Sequence, residues 1–164
     1  TVFGEASDKG AWGWRYEGHH ASLNWTLVDG RVAGSSPQFM GANPADVHVG
    51  ARTGTRALAA EEDLGRALVT SLSAEQSQLA VVSASAPFGP DRRLGILTGN
   101  SREATMQEDT GIAYSKLNEM QQGLLLSLIQ EYAATQPPAV AKARMGRVKQ
   151  ELAGVKFAWM GGLE

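Results

Sequence analysis

Alternating apolar and polar residues predict a β-hairpin near the N-terminus. The alternation extends from Ala21 to Val28, as in a strand with one buried face. Its apolar members are Leu23, Trp25 and Leu27. Asp29-Gly30 follows directly and is a preferred dipeptide of type I′ two-residue turns. We therefore predict a hairpin over about residues 21–34, with a neighbouring strand over residues 12–16.

Apolar residues at helical spacing predict that the rest of the chain is mostly α-helical. A first helix begins near Ala60. Its apolar residues are Leu64, Leu68 and Leu72. Ser73 and Gln76 form a capping-box pattern, which predicts the start of a second helix that we expect to include Val81 and Val82.

The longest apolar stripe predicts a third helix, and a shorter pattern predicts a fourth. The longer stripe consists of Leu117, Met120, Leu124, Leu128 and Tyr132. Asn118 with Gln121 is suited to cap its start, and Pro137-Pro138 to end it. The last helix is expected to end at a Gly154 cap.

Together these elements predict an α+β fold. We expect a single domain over residues 1–164, in which a small antiparallel sheet is packed by three to four α-helices, with a final strand near Trp159. The Gly-, Pro- and polar-rich segment 87–110 is interpreted as a long loop.

Composition narrows the classes of function. The chain lacks cysteine, which excludes disulfides, thiolate metal sites and cysteine nucleophiles. A formal net charge of −2 argues against a nucleic-acid partner. We find neither a signal-peptide pattern nor an apolar run long enough to span a bilayer, so we expect a soluble protein without a membrane partner and leave its compartment open.

Two adjacent histidines are the candidates for chemistry. Interpreted as one regular strand, the segment places His20 on a polar face with Ser22 and Asn24, and His19 on an apolar face with Glu17. His20 is therefore the candidate base or metal ligand, with Glu17 and His19 as supporting catalytic residues. A divalent metal held by His20 and Glu17 is the candidate cofactor, although a catalytic metal usually takes three protein ligands.

Aromatic residues surround these histidines in the sequence. They are Trp12, Trp14, Tyr16 and Trp25. Such clusters stack on sugars or bases, although they more often form core. We expect Trp14, Arg15 and Asn24 to be substrate-binding residues.

Three hypotheses for function follow from these residues. The leading one is a metal-assisted or general acid–base enzyme, hydrolase-like, centred on His20. The second is a non-catalytic module that binds a small molecule or glycan through the Trp/Tyr cluster. The third is a purely structural role with buried, hydrogen-bonded histidines.

A basic side is expected on the last helix. It consists of Lys142, Arg144, Arg147 and Lys149. A solvated helix face is the usual explanation of such a pattern, and attraction of an anionic partner is the alternative.

Several segments resemble a known family. They are Phe3-Gly4, the run from Trp12 to His20, Leu23-Asn24 and Gly41-Ala42-Asn43-Pro44. The chain is similar over its whole length to the bacterial domain-of-unknown-function family 3500. The resemblance implies a longer protein, with a helical region before this segment and a segment rich in Asn, His, Tyr and Trp after it. The remainder of a longer chain is then an expected partner that would complete a site at the two histidines.

Overall fold

The computed structural model describes residues 1–84 and 109–163. By its internal contacts the chain divides into two compact units, Thr1–Ala59 and Ala60–Glu164. The α+β class is confirmed, with an antiparallel sheet and four helices. A single domain over the whole chain stays a prediction.

The first unit is built on a five-stranded antiparallel sheet. Its strands are β1 (Val2–Phe3), β2 (Ala11–Gly18), β3 (Ala21–Val28), β4 (Arg31–Gly34) and β5 (Gln38–Met40). β3 is central, since β2 pairs along one edge and both β4 and β5 pair with the other. The predicted hairpin is confirmed: Asp29 and Gly30 form its turn with φ angles of 49° and 70°, and only left-handed backbone fits that turn.

The second unit contains the four helices and two short strand pairs. The helices are α1 (Ala59–Thr70), α2 (Ala74–Ala80), α3 (Glu119–Ala134) and α4 (Pro138–Gln150). The strands are β6 (Val81–Ser83), β7 (Ile112–Ala113), β8 (Lys156–Phe157) and β9 (Trp159–Met160). β6 pairs with β9 in parallel, and β7 pairs with β8 in antiparallel.

Two expectations about element ends are wrong. Val81 and Val82 lie in β6 instead of continuing α2, and Val81 pairs with Trp159. Two β-branched residues in succession favour this extended backbone. The last helix ends at Gln150, and Gly154 belongs to a separate turn of 3₁₀-helix. The final strand near Trp159 is confirmed, whereas the predicted loop 87–110 lies almost wholly outside the described residues.

Both predicted capping boxes are present, and a buried glutamine joins them. Gln121, only 1% exposed, accepts a hydrogen bond from the Asn118 backbone N–H and donates one to the Ser71 carbonyl. Its amide also exchanges two hydrogen bonds of 3.0 Å with the amide of Gln76. The starts of α2 and α3 are thereby tied to each other.

The buried apolar core of the described residues lies in the second unit. It consists of Leu68, Val69, Ala80, Ile112, Leu117, Leu125 and Phe157, with a smaller cluster of Ala133, Ala141 and Met145. No helix in the described part of the chain is both long and apolar enough to cross a membrane.

Candidate functional site

The two histidines form a hairpin turn and do not lie within a strand. Gly18 at the end of β2 pairs with Ala21 at the start of β3, which leaves only His19 and His20 between the strands. The interpretation of this segment as one continuous strand is therefore wrong. The reversal at the turn also changes which residues of β2 and β3 share a face.

One face of the β2–β3 pair is polar. Glu17 lies opposite Ser22, and Arg15 lies opposite Asn24, so these four side chains share this face. Arg15 Nε is 3.2 Å from Glu17 Oε2. The Asn24 amide donates to Ser22 Oγ and to the carbonyl of Pro37. Glu17 is thus grouped with the expected substrate-binding residues Arg15 and Asn24, and not with the apolar residues of β3.

The histidine side chains contact each other, and the backbone of His20 is hydrogen-bonded to Gly41. The two rings meet edge to face, with centroids 4.5 Å apart. The half-buried His20 accepts a hydrogen bond from Gly41 N at its carbonyl, and a Cβ on Gly41 would lie 3.5 Å from His20 Nδ1. Among residues 1–84 and 109–163, no carboxylate pairs with His19 or His20, and no three His, Asp or Glu side chains are grouped to hold a metal.

The other face of the β2–β3 pair carries the aromatic residues, and we call it the aromatic face. It consists of Trp12, Trp14 and Tyr16 from β2 and Leu23, Trp25 and Leu27 from β3. Trp14 and Trp25 are directly opposite and stack with centroids 5.5 Å apart and planes within 8°. Tyr16 is 62% exposed at one end. The predicted aromatic cluster is therefore a row of side chains on one side of the sheet.

The indole N–H groups on this face differ in their partners. Trp12 donates to the Ser7 carbonyl at 2.8 Å. In the described part of the chain, the indole N–H groups of Trp14 and Trp25 have no acceptor, and no buried side-chain polar atom lacks a partner. Both N–H groups are therefore not fully buried and remain available as donors.

Gly13, which the sequence analysis did not point to, allows β2 and β3 to approach closely next to the stacked indoles. A Cβ on Gly13 would lie 2.7 Å from the carbonyl oxygen of Trp25, closer than real Cβ contacts. Gly13 itself is buried. Only a glycine permits this approach of β2 to β3, because any side chain would push the strands apart.

The sheet lacks fully buried apolar side chains. Within Thr1–Ala59, all of which the structure describes, no hydrophobic residue is among the buried core residues. The apolar side chains of the aromatic face are half-buried, apart from the exposed Tyr16, so part of their surface stays accessible to a ligand. This unit contains five acidic and five basic residues, so its charge does not favour a strongly charged ligand.

Comparison with known proteins identifies the family of the chain. The family model described as a protein of unknown function (DUF3500) matches residues 1–164. The comparison with curated proteins found no match, and neither did the comparison with solved structures. The match includes the histidine turn and the aromatic face. The chain belongs to the DUF3500 family.

Proposed function

We propose that the first unit is a non-catalytic binding module that holds an uncharged glycan on its aromatic face. The observation that carries this proposal is the parallel pair of Trp14 and Trp25, whose indole N–H groups have no acceptor among the described residues and are not fully buried. The exposed Tyr16 adds a third ring with a polar end on the same face.

The chemistry of this face suits a sugar ring. One side of a pyranose is rich in C–H groups and packs on an aromatic ring, while its hydroxyls accept hydrogen bonds from N–H donors. One stacking contact contributes about 1 kcal/mol beyond the area that it buries, and each hydrogen bond about 1 kcal/mol. Two of each give a gross interaction of about 4 kcal/mol, and the entropy lost on association reduces it, so we expect weak binding of a short oligosaccharide, with a dissociation constant of about 1 mM or above.

The enzyme hypothesis centred on His20 has weaker support and stays a prediction. Glu17, its expected partner, pairs instead with Arg15 on the polar face. A general base needs an orienting group and a metal needs further ligands. Neither is found around His20 among the described residues.

Titration of tryptophan fluorescence with cellohexaose, xylohexaose and chitohexaose tests the proposal. We expect at least one sugar to change the emission. Trp14→Ala and Trp25→Ala should each weaken binding more than about tenfold, since each loses a stacking contact and a hydrogen bond, together about 2 kcal/mol.

A matched control is available on the opposite face. Phe3 is 50% exposed there, with the Arg15 guanidinium 5.7 Å from its ring, and Phe3→Ala should bind the sugar as the unaltered chain does. Binding to none of the three sugars, or equal losses in Phe3→Ala and Trp14→Ala, would contradict the proposal.

A further inference from the structure

A groove of about 610 Å³ lies between α3 and α4 in the second unit. The buried Ala141, Met145 and Gln136 line its inner side, and the exposed Gln130 and Ala134 of α3 form one rim. A volume of this size is within the range of small-molecule sites. Two of the three buried lining residues are apolar, so the body of a ligand lying on them would also be apolar.

Two lysines of α4 give this groove a positive rim. Lys142 and Lys149 line it and are both exposed. They are seven residues apart, which places them on one helix face about 10 Å from each other along the axis. In the chain as described, neither ammonium pairs with a carboxylate, and no acidic side chain is among the groove residues. The sequence of Pro138–Gln150 contains no Asp or Glu.

A glycine keeps the groove open. Gly146 lines it between the two lysines, although glycine is less favourable than alanine within a helix. A Cβ at Gly146 would meet nothing within 4 Å, so close packing inside the chain does not require glycine here. Any larger side chain would instead occupy the groove.

We propose that this groove binds an amphiphilic anion, such as a medium-chain carboxylate or an aryl sulfonate. The apolar body lies on Ala141 and Met145, and the anionic group pairs with Lys142 or Lys149. Charge complementarity selects this ligand class, because the groove combines the buried apolar side chains of Ala141 and Met145 with cations that have no partner among the described residues.

The probe for the test is the dye anilinonaphthalene sulfonate, which joins an apolar body to one anionic group. Its fluorescence should rise on binding the full chain and fall when octanoate displaces it. Octanol, which lacks the charge, should displace it much less. Equal displacement by octanol and octanoate would overturn the assignment of an anion.

Paired variants locate the dye. The double variant Lys142→Gln/Lys149→Gln should weaken dye binding at least about fivefold. Arg147→Gln, which changes a residue of α4 outside the groove, should not weaken it. Gly146→Leu should abolish binding. Gly123→Leu in α3, where a Cβ also meets nothing within 4 Å, should leave it unchanged.

Circular dichroism verifies that each variant is folded before titration. If the dye binds the lysine double variant and Gly146→Leu as well as it binds their controls, the dye lies elsewhere and the proposal is wrong.

Discussion

Removal of the buried Gln121 amide should destabilise the second unit far more than truncation of its exposed neighbour Met120. The side chain makes four hydrogen bonds, of 2.8 to 3.0 Å, to Ser71, Asn118 and Gln76. At about 1 kcal/mol each, Gln121→Ala loses about 3–4 kcal/mol. That is a large share of a total stability of about 5–15 kcal/mol for a typical protein.

Urea unfolding followed by circular dichroism measures this loss. Met120→Ala is the control next in sequence, because Met120 is 57% exposed and its truncation should cost no more than about 0.5 kcal/mol. A loss below about 1 kcal/mol for Gln121→Ala would refute the reasoning, because the bonded groups would then be satisfied without the glutamine.

Three further predictions concern other parts of the chain. Burial, together with a smaller contribution from Glu61, raises the pKa of Tyr132 above 10.0. The contribution of Tyr132 to the free energy of unfolding should therefore be fully present below pH 10.0 and be lost as the pH rises through the raised pKa. Ultraviolet titration of the phenolate should show that Glu61→Gln lowers this pKa. Gly13→Ala should destabilise the first unit by about 1–3 kcal/mol in thermal unfolding, whereas Gly18→Ala, with no atom within 4 Å of its Cβ, should not. Metal analysis by mass spectrometry should show equal content in the unaltered chain and in His20→Ala, and a stoichiometric metal lost in the variant would instead support the metal-assisted hypothesis.

Helix starts could be predicted from sequence because capping is local chemistry. Ser73 with Gln76, and Asn118 with Gln121, satisfy backbone groups within one turn, and both boxes are present. What the sequence could not indicate is that Gln121 also bonds to residues about fifty positions away, because that contact depends on packing.

The histidine turn could not be predicted for a related reason. Two-residue hairpin turns are usually recognised by Asn-Gly or Asp-Gly, as at Asp29-Gly30. His19-His20 carries no such signal, and its flanking residues continue the strand pattern. Because this two-residue turn was not recognised, Glu17 was expected on the apolar face, whereas it lies on the polar face.

The aromatic cluster itself was predictable, but the hydrogen-bonding state of its members was not. Alternation along each strand places Trp12, Trp14 and Tyr16 on one face. Which indole N–H finds an acceptor depends on where the backbone around Ser7 lies. That position is set by tertiary structure and has no signature in the pattern of residues.

The most direct test of glycan binding is NMR of the indole N–H groups of the four tryptophans. Trp159 lies in the second unit and donates to backbone carbonyls, whereas the indole N–H groups of Trp14 and Trp25 have no acceptor among the described residues. We predict that the signals of Trp14 and Trp25 shift on addition of the oligosaccharide selected by fluorescence, while the signal of Trp159 stays in place. A shift confined to Trp159, or no shift at all, would contradict the account.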